Sequence, residues 1–210
     1  MTPSGHAPDA PPSASPGRLS RALIRVLMKH AYVVEARSIA DGFRLVTLES
    51  PEFKGLHWSP GQKLQIAMGS AFVARTFTPI EWDAAAGRTR LLGYMHGLGP
   101  GSAWIRDVVP GDACDVFGPR ASLDSGDAAD MCVVFGDETS IGLASAIKHH
   151  APDRNLRCLF EVGIEFHARQ ALKYWGLKRQ NCLSAPKQTP ISNASNAGCS
   201  RLRPPGHPSS

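Results

Sequence analysis

The sequence predicts a β + α/β fold, in which an antiparallel barrel precedes an incomplete parallel α/β domain. Short strand-like segments separated by turn-rich sequences occupy residues 32–122, a spacing typical of antiparallel barrels. Beyond them, continuous apolar strands alternate with helices, which indicates a parallel sheet. With 210 residues, 42% of them hydrophobic, the chain can bury the core of one large domain or two small ones.

The predicted barrel domain spans residues 19–124. Its first segment, from Leu19, is compatible with a short amphipathic helix or a strand, and the alternating AYVVEARSI favours a strand from about Tyr32. Strand-like segments then follow in the order FRLVTLES, QKLQIAMG, FVARTFTPIEW, RTRLLGYMH and DACDVFGP. Turn-forming sequences such as SPGQ, DAAAGR and VVPGD separate them.

The predicted α/β domain spans residues 125–177. The strand CVVFG, the helix SIGLASAIKHH, the strand LRCLFEV and the helix ARQALKYWGL follow one another. Two strands and two helices leave a sheet edge and helix faces uncovered. We therefore expect either an incomplete domain or a partner that covers it, such as a second copy in a homodimer.

The two ends of the sequence differ from its centre. Residues 1–18, rich in Pro, Ser and Ala, are predicted to be a disordered leader. Residues 178–210 are predicted to be a disordered basic tail, because no acidic residue lies beyond Glu165. Such a tail could attract nucleic acid or acidic lipid nonspecifically, but without interleaved aromatics or a nucleic-acid fold we predict no specific nucleic-acid partner.

Location and metal content are predicted from absences. No apolar stretch is long enough to span a membrane and no secretion signal is visible, so we expect a cytoplasmic protein without a membrane span. The five cysteines form an odd set without a C-x-x-C pair. We therefore predict neither a disulfide framework nor a metal site.

The segment VARTFTPI contains the parts of a flavin site. Arg75 can bind phosphate through its fork, Phe77 can lie against a flat heterocycle, and the hydroxyls of Thr76 and Thr78 can bond a ring nitrogen or carbonyl. Alternation puts Arg75 and Phe77 on one face and the threonines on the other. An ordinary barrel strand with a solvated arginine explains the segment equally well.

The loop HGLGPGS opens a short helix that contains Trp104. Small residues such as Gly101 let the backbone approach a ligand, and the N–H groups of a helix start attract phosphate. Ser102 is predicted to cap this helix. The glycines could also serve only a tight connection, and His96 could be structural.

The stretch VVFGDETSIGLASAI leads from an apolar strand through Gly136 into a helix. Open α/β sheets bind ligands at such strand ends. Thr139 or Ser140 could cap the helix, while Asp137 and Glu138 suit its positive end and would repel a pyrophosphate. Because the G-x-G-x-x-G fingerprint is missing, we interpret this turn as a capped helix beside a cofactor cleft.

The order of these motifs resembles one family. R-T-F-T-P, H-G-x-x-G-P-x-S-x-W, P-G-D…G-P-R-x-S and a strand ending in G-D-E-T are together similar to the siderophore-interacting proteins, over about Arg25 to Leu177. These are FAD-containing ferric-siderophore reductases of the ferredoxin–NADP reductase superfamily. The resemblance implies an FAD cofactor, NADPH or NADH as electron donor, and a ferric siderophore as substrate that releases Fe(II). It implies no catalytic residue beyond the flavin.

The resemblance also implies roles for individual residues. Arg75 would hold the pyrophosphate or ribityl region of FAD, and Phe77 would lie beside the isoalloxazine, where the family usually has tyrosine. The implied FAD-binding residues are Arg75, Thr76, Phe77, Thr78, His96, Gly101, Ser102 and Trp104. The residues implied for the NAD(P)H side are Gly136, Asp137, Glu138 and Thr139.

The sequence departs from the family after the second α/β helix. Family members continue with further strands and helices, whereas this chain has the basic residues 178–210, which we interpret as the product of a truncation or a reading-frame change. Two alternatives to an active reductase follow. The chain could be an FAD-binding remnant without NAD(P)H activity, or a basic-tailed interaction protein.

Overall fold

The computed structural model describes residues 28–70, 73–121, 131–177 and 181–184. The described strands are β1 Lys29–Ala40, β2 Phe43–Glu49, β3 Lys63–Ser70, β4 Val73–Phe77, β5 Pro79–Asp83, β6 Arg88–Tyr94, β7 Ala113–Arg120, β8 Met131–Gly136, β9 Asn155–Val162 and β10 Asn181–Ser184. The described helices are α1 Pro100–Asp107, α2 Ile141–His150 and α3 Glu165–Tyr174. The predicted leader and most of the predicted tail lie outside the described residues.

β1 to β7 form one antiparallel sheet in the order β4-β3-β7-β1-β2-β6-β5. The predicted barrel-like architecture is confirmed, but among the described strands no pairing joins β4 to β5, so the sheet is not closed. FVARTFTPIEW was predicted as one strand and is two, β4 and β5. The break falls at Thr78, before Pro79, which has no N–H to donate to a ladder.

β8, β9 and β10 form a parallel sheet in the order β10-β9-β8, which confirms the predicted α/β half. The prediction that residues 178–210 lack regular structure is wrong for β10. This strand pairs with β9 from Asn181 opposite Leu159 to Ser184 opposite Val162. Four residues are too few for a periodic sequence signal.

One apolar cluster joins the two sheets. Phe43 and Leu92 of the first sheet belong to the same buried core as Ile141 of α2 and Phe160 of β9. A second cluster, which includes Leu64, fills the interior of the first sheet. The two halves therefore share a core, and the short α/β half does not have to bury its apolar surface alone.

Two buried thiols predict a response to alkaline pH. Burial raises the pKa of Cys114 and of Cys158 from 9.0 to about 12. Because the folded-state pKa lies above the unfolded value, the stability that each thiol contributes is complete below pH 9 and is lost as pH rises towards 12. We expect the urea midpoint to fall across this window.

Alkylation gives a separate readout of the same thiols. Below pH 9 iodoacetamide should label Cys114 and Cys158 only after unfolding, with the half-buried Cys132 as the internal comparison. Peptide mass mapping measures the extent at each cysteine. Rapid labelling of Cys114 in the native protein would contradict the burial described here.

Candidate functional site

A cavity of about 310 Å³ lies between β4, β6, the start of α1 and the turn after β8. It brings together the three sequence motifs, although they are far apart along the chain. Its lining residues are Lys63, Arg75, Thr76, Phe77, Thr78, Leu92, Gly93, Tyr94, His96, Gly99, Gly101, Ser102 and Thr139. The predicted residues that do not line it are Trp104, Gly136, Asp137 and Glu138.

Arg75 lies on the edge strand β4, opposite Ile66 of β3. Its side chain is exposed, and its guanidinium donates a hydrogen bond of 2.9 Å to the carbonyl oxygen of Ala74. No carboxylate in the described part of the chain forms an ion pair with it. A cation without an acidic partner at a cavity wall is free to bind an anionic ligand.

All four residues from Arg75 to Thr78 line the cavity, whereas simple alternation predicted that they face two sides. The difference arises at Thr78, where the chain passes from β4 to β5 and the strand period ends. Backbone and side chain at this corner therefore contribute to one wall.

Trp104 supports the cavity from behind. The Trp104 ring packs against the Phe77 ring, with centroids 5.4 Å apart and planes at 50°. Both side chains are half-buried, so Trp104 fixes the direction of the ring that faces the cavity. Its predicted place in the site is thus indirect.

The start of α1 forms the opposite wall. Gly99 is the N-cap residue and no side chain caps the helix, so the predicted cap at Ser102 is wrong. The first-turn N–H groups of Gly101 and Ser102 have no intrahelical acceptor and carry the positive end of the helix dipole. A Cβ on Gly101 would lie 3.1 Å from Cγ of Arg75, so glycine allows this close approach.

Ser102 holds the loop that carries His96. Its side chain is 4% exposed; the hydroxyl accepts a 3.1 Å hydrogen bond from the His96 N–H and donates one of 2.8 Å to the His96 carbonyl. Sequence reasoning placed Ser102 at the cavity but assigned its hydroxyl to the helix cap. The pair of bonds to His96 shows why a short hydroxyl side chain is suited here.

The turn after β8 is closed by its own side chains. Asp137 accepts hydrogen bonds from the Thr139 N–H at 2.9 Å and the Thr139 hydroxyl at 2.6 Å, and so caps the 3-10 turn Glu138–Ser140. The predicted capping role of Thr139 or Ser140 is therefore wrong. Asp137 occupies donors that a phosphate would need, and the interpretation of this turn as capped is confirmed.

Glu138 is buried between the two halves. Its side chain is in the buried class, and Oε1 accepts a 2.7 Å hydrogen bond from the N–H of Gly163. Burial, followed by the charge and hydrogen bonding of Glu138, raises the pKa of the cavity residue Tyr94. Tyr94 also packs on Phe43 with ring centroids 4.7 Å apart. The cavity wall is thus connected to the α/β half.

Sequence reasoning missed Tyr94 and Lys63. Tyr94 stands two residues before His96 in the strand that ends at the glycine-rich loop, so its nearness to that motif was an available signal. Lys63 is exposed at the start of β3, and only the pairing of β3 with β4 brings it near Arg75. No sequence pattern reveals that pairing.

A larger cavity, of about 510 Å³, lies on another part of the first sheet. Its charged groups already pair with one another: Arg90 bonds Glu81 at 3.1 Å and Arg88 bonds Glu49 at 2.5 Å. The smaller cavity, with its unpaired arginine, is the better candidate site. Within the described ranges no cluster of three or more His, Cys, Asp or Glu could hold a metal ion. No described helix is long and apolar enough to cross a membrane.

Comparison with protein families gives one match, to the siderophore-interacting FAD-binding domain, over residues 17–123. These residues are half of the chain and include all predicted FAD-binding residues. Comparison with curated proteins gives no match.

Several solved structures share the fold. A siderophore utilization protein from T. fusca has a TM-score of 0.64 and 22% identity, covering 79% of this chain and 72% of that one. The siderophore-interacting protein SipS from Aeromonas hydrophila has a TM-score of 0.62 and 21% identity, covering 77% and 69%. Ferredoxin–NADP⁺ reductase from Plasmodium falciparum has a TM-score of 0.59 and 11% identity, covering 78% and 73%.

Proposed function

Because the chain belongs to the family of siderophore-interacting FAD-binding domains, we propose that it is a flavin reductase that passes electrons from NADPH or NADH to a ferric siderophore. The observation that carries the proposal is the convergence of Arg75, Phe77, Thr78 and the uncapped start of α1 on one cavity. The ferric siderophore is the substrate, and Fe(II) is released because siderophores hold it more weakly. The proposed location is the cytoplasm.

The cavity residues fit FAD. Arg75 and Lys63 supply positive charge without a described acidic partner, and the first-turn N–H groups of Gly101 and Ser102 add donors for a pyrophosphate. Phe77, held by Trp104, offers an apolar ring face for the isoalloxazine. The hydroxyls of Thr76 and Thr78 can bond polar atoms of the flavin.

When bound, FAD supplies an acceptor for the hydride of a nicotinamide and a donor of single electrons to Fe(III). The chain supplies position and environment. Arg75 would fix the phosphate end, Phe77 and Tyr94 would exclude water from the ring, and Thr139 would approach from the α/β half. No side chain is required as nucleophile or metal ligand.

The donor would approach from the α/β side of the cavity. Thr139 lines the cavity, whereas Gly136, Asp137 and Glu138 form the turn that holds it in place. Gly136 lets Ser140 lie close to the strand end, since a Cβ at Gly136 would stand 2.7 Å from Cβ of Ser140. In this proposal the turn shapes the nicotinamide entrance and leaves phosphate binding to other residues.

An anaerobic absorption spectrum of the protein with FAD tests the proposal. We expect the flavin bands to shift on binding, to bleach when NADPH or NADH is added, and to return when a ferric siderophore is added. Ferrozine absorbance measures the Fe(II) released. A chain that binds no flavin would contradict the proposal.

The second candidate function is an FAD-binding remnant, and the small α/β half favours it. In the described part of the chain this half has three strands, and one face of its sheet carries exposed apolar residues. A remnant would bind FAD and bleach with dithionite but stay oxidised with both nicotinamides. The same experiment therefore separates the two candidates.

A further inference from the structure

One face of the parallel sheet is apolar and uncovered. Its residues are Met131, Val133 and Phe135 of β8, Leu159 of β9 and Leu183 of β10, together called the outer face. Phe135 is 68% exposed and Val133 60%, while Met131 and Leu183 are each 54% exposed. Parallel sheets normally bury both faces, so this exposure needs an explanation.

The strand order explains why the outer face is bare. The order β8, β9, β10 proceeds in one direction across the sheet. Since crossovers between parallel strands are right-handed, α2 and α3 both lie on the same side. The residues that alternate with the outer face, such as Val134, Phe160 and Cys182, belong to the core shared with these helices.

The outer face also carries a self-complementary pair of charges. On β9, Arg157 and Glu161 lie two positions before and two positions after Leu159 and point to the same side. Both side chains are exposed, and neither forms an ion pair among the described residues. Rotation about a two-fold axis at Leu159 exchanges the positions of these two charges.

We propose that a second copy of this chain covers the outer face, with the two sheets packed face to face and their strands antiparallel. The two-fold axis passes near Leu159, so Arg157 of each copy lies opposite the partner's Glu161. The β8 rows, which include Phe135, meet on one side of the axis. This arrangement is isologous, buries the apolar residues and gives each charge a partner. It goes beyond the flavin chemistry and does not depend on it.

The chain itself offers no comparable cover. Residues 185–210 contain only Ile191 and Leu202 as large apolar residues, and they are rich in proline and serine. A second copy, in contrast, presents an apolar row and a charge pattern that match the first.

Sedimentation velocity of the full chain with FAD tests the proposal. The wild type should be dimeric, and Phe135→Glu should be monomeric because a charge would enter the apolar centre. Phe166→Glu is the matched control: Phe166 is 67% exposed but lies on α3, on the covered side, so this variant should remain dimeric. Retained flavin absorbance shows that each variant is folded.

A charge exchange tests the two-fold arrangement itself. Arg157→Glu places like charges opposite each other and should raise the dimer Kd by about tenfold or more. The double variant R157E/E161R restores opposite charges and should return the Kd to near the wild-type value. A double variant as weak as the single one would overturn the arrangement.

Two further outcomes would overturn the proposal as a whole. One is a wild-type protein that is monomeric at every concentration examined. The other is a chain that dimerises only after removal of residues 185–210, which would mean that this segment covers the outer face.

Discussion

Replacing Arg75 with alanine is expected to lower FAD affinity by about tenfold to a hundredfold, because charge-assisted hydrogen bonds contribute about 1.5–3 kcal/mol. Arg75 lies at the cavity wall with no acidic partner in the described part of the chain, so its charge is available to a pyrophosphate. Its side chain is exposed, and its loss should leave the melting temperature of the flavin-free protein nearly unchanged. Flavin fluorescence titration measures the affinity.

Two variants show whether charge or geometry is responsible. Arg75→Lys keeps the charge and loses the planar fork, so its affinity should lie between those of wild type and Arg75→Ala. Arg88→Ala removes the same charge from a surface ion pair with Glu49, away from the cavity, and should bind FAD normally. Full flavin retention in Arg75→Ala would show that this arginine does not hold the cofactor.

The strands and helices were largely predictable because each carries a local signal. Alternation along AYVVEARSI gave β1, and the change to continuous apolar runs marked the α/β half at CVVFG. β10 was missed because its four residues gain their structure from pairing with β9. Such pairing is a long-range interaction that no short window contains.

The candidate site was predictable where a motif places chemistry, and less so where packing decides. Arg75 and Phe77 were found because their side chains suggest ligand binding by themselves. The role of Ser102 was misassigned because the helix begins at Gly99, three residues before it, and its hydroxyl reaches back to His96. Glu138 was expected at a solvated helix end, yet it lies buried against Gly163.

The relation between the two halves decides whether the short α/β half can act in catalysis. Phe160 of β9 is fully buried in the cluster that also contains Phe43 and Leu92 of the first sheet. Tyr94, which lines the cavity, packs against that cluster. A change at Phe160 should therefore be felt at the cavity, although Phe160 does not line it.

Phe160→Ala is expected to lower the free energy of unfolding by about 3–5 kcal/mol, because it removes a buried ring and leaves a void. Since the core is shared, urea unfolding should remain a single transition when followed by both circular dichroism and flavin fluorescence. Val133→Ala is the matched control on the exposed face of β8 and should cost less than about 0.5 kcal/mol in a monomer.

The number of transitions carries the functional meaning of the Phe160 experiment. If Phe160→Ala unfolded the α/β half at low urea while FAD stayed bound, the halves would be independent, and the proposed nicotinamide entrance at Thr139 would not be held against the flavin cavity. If flavin release and loss of secondary structure coincide, the shared core holds that entrance in place. A single, weakened transition is the result that we expect, because Phe43, Leu92 and Phe160 are buried in one cluster.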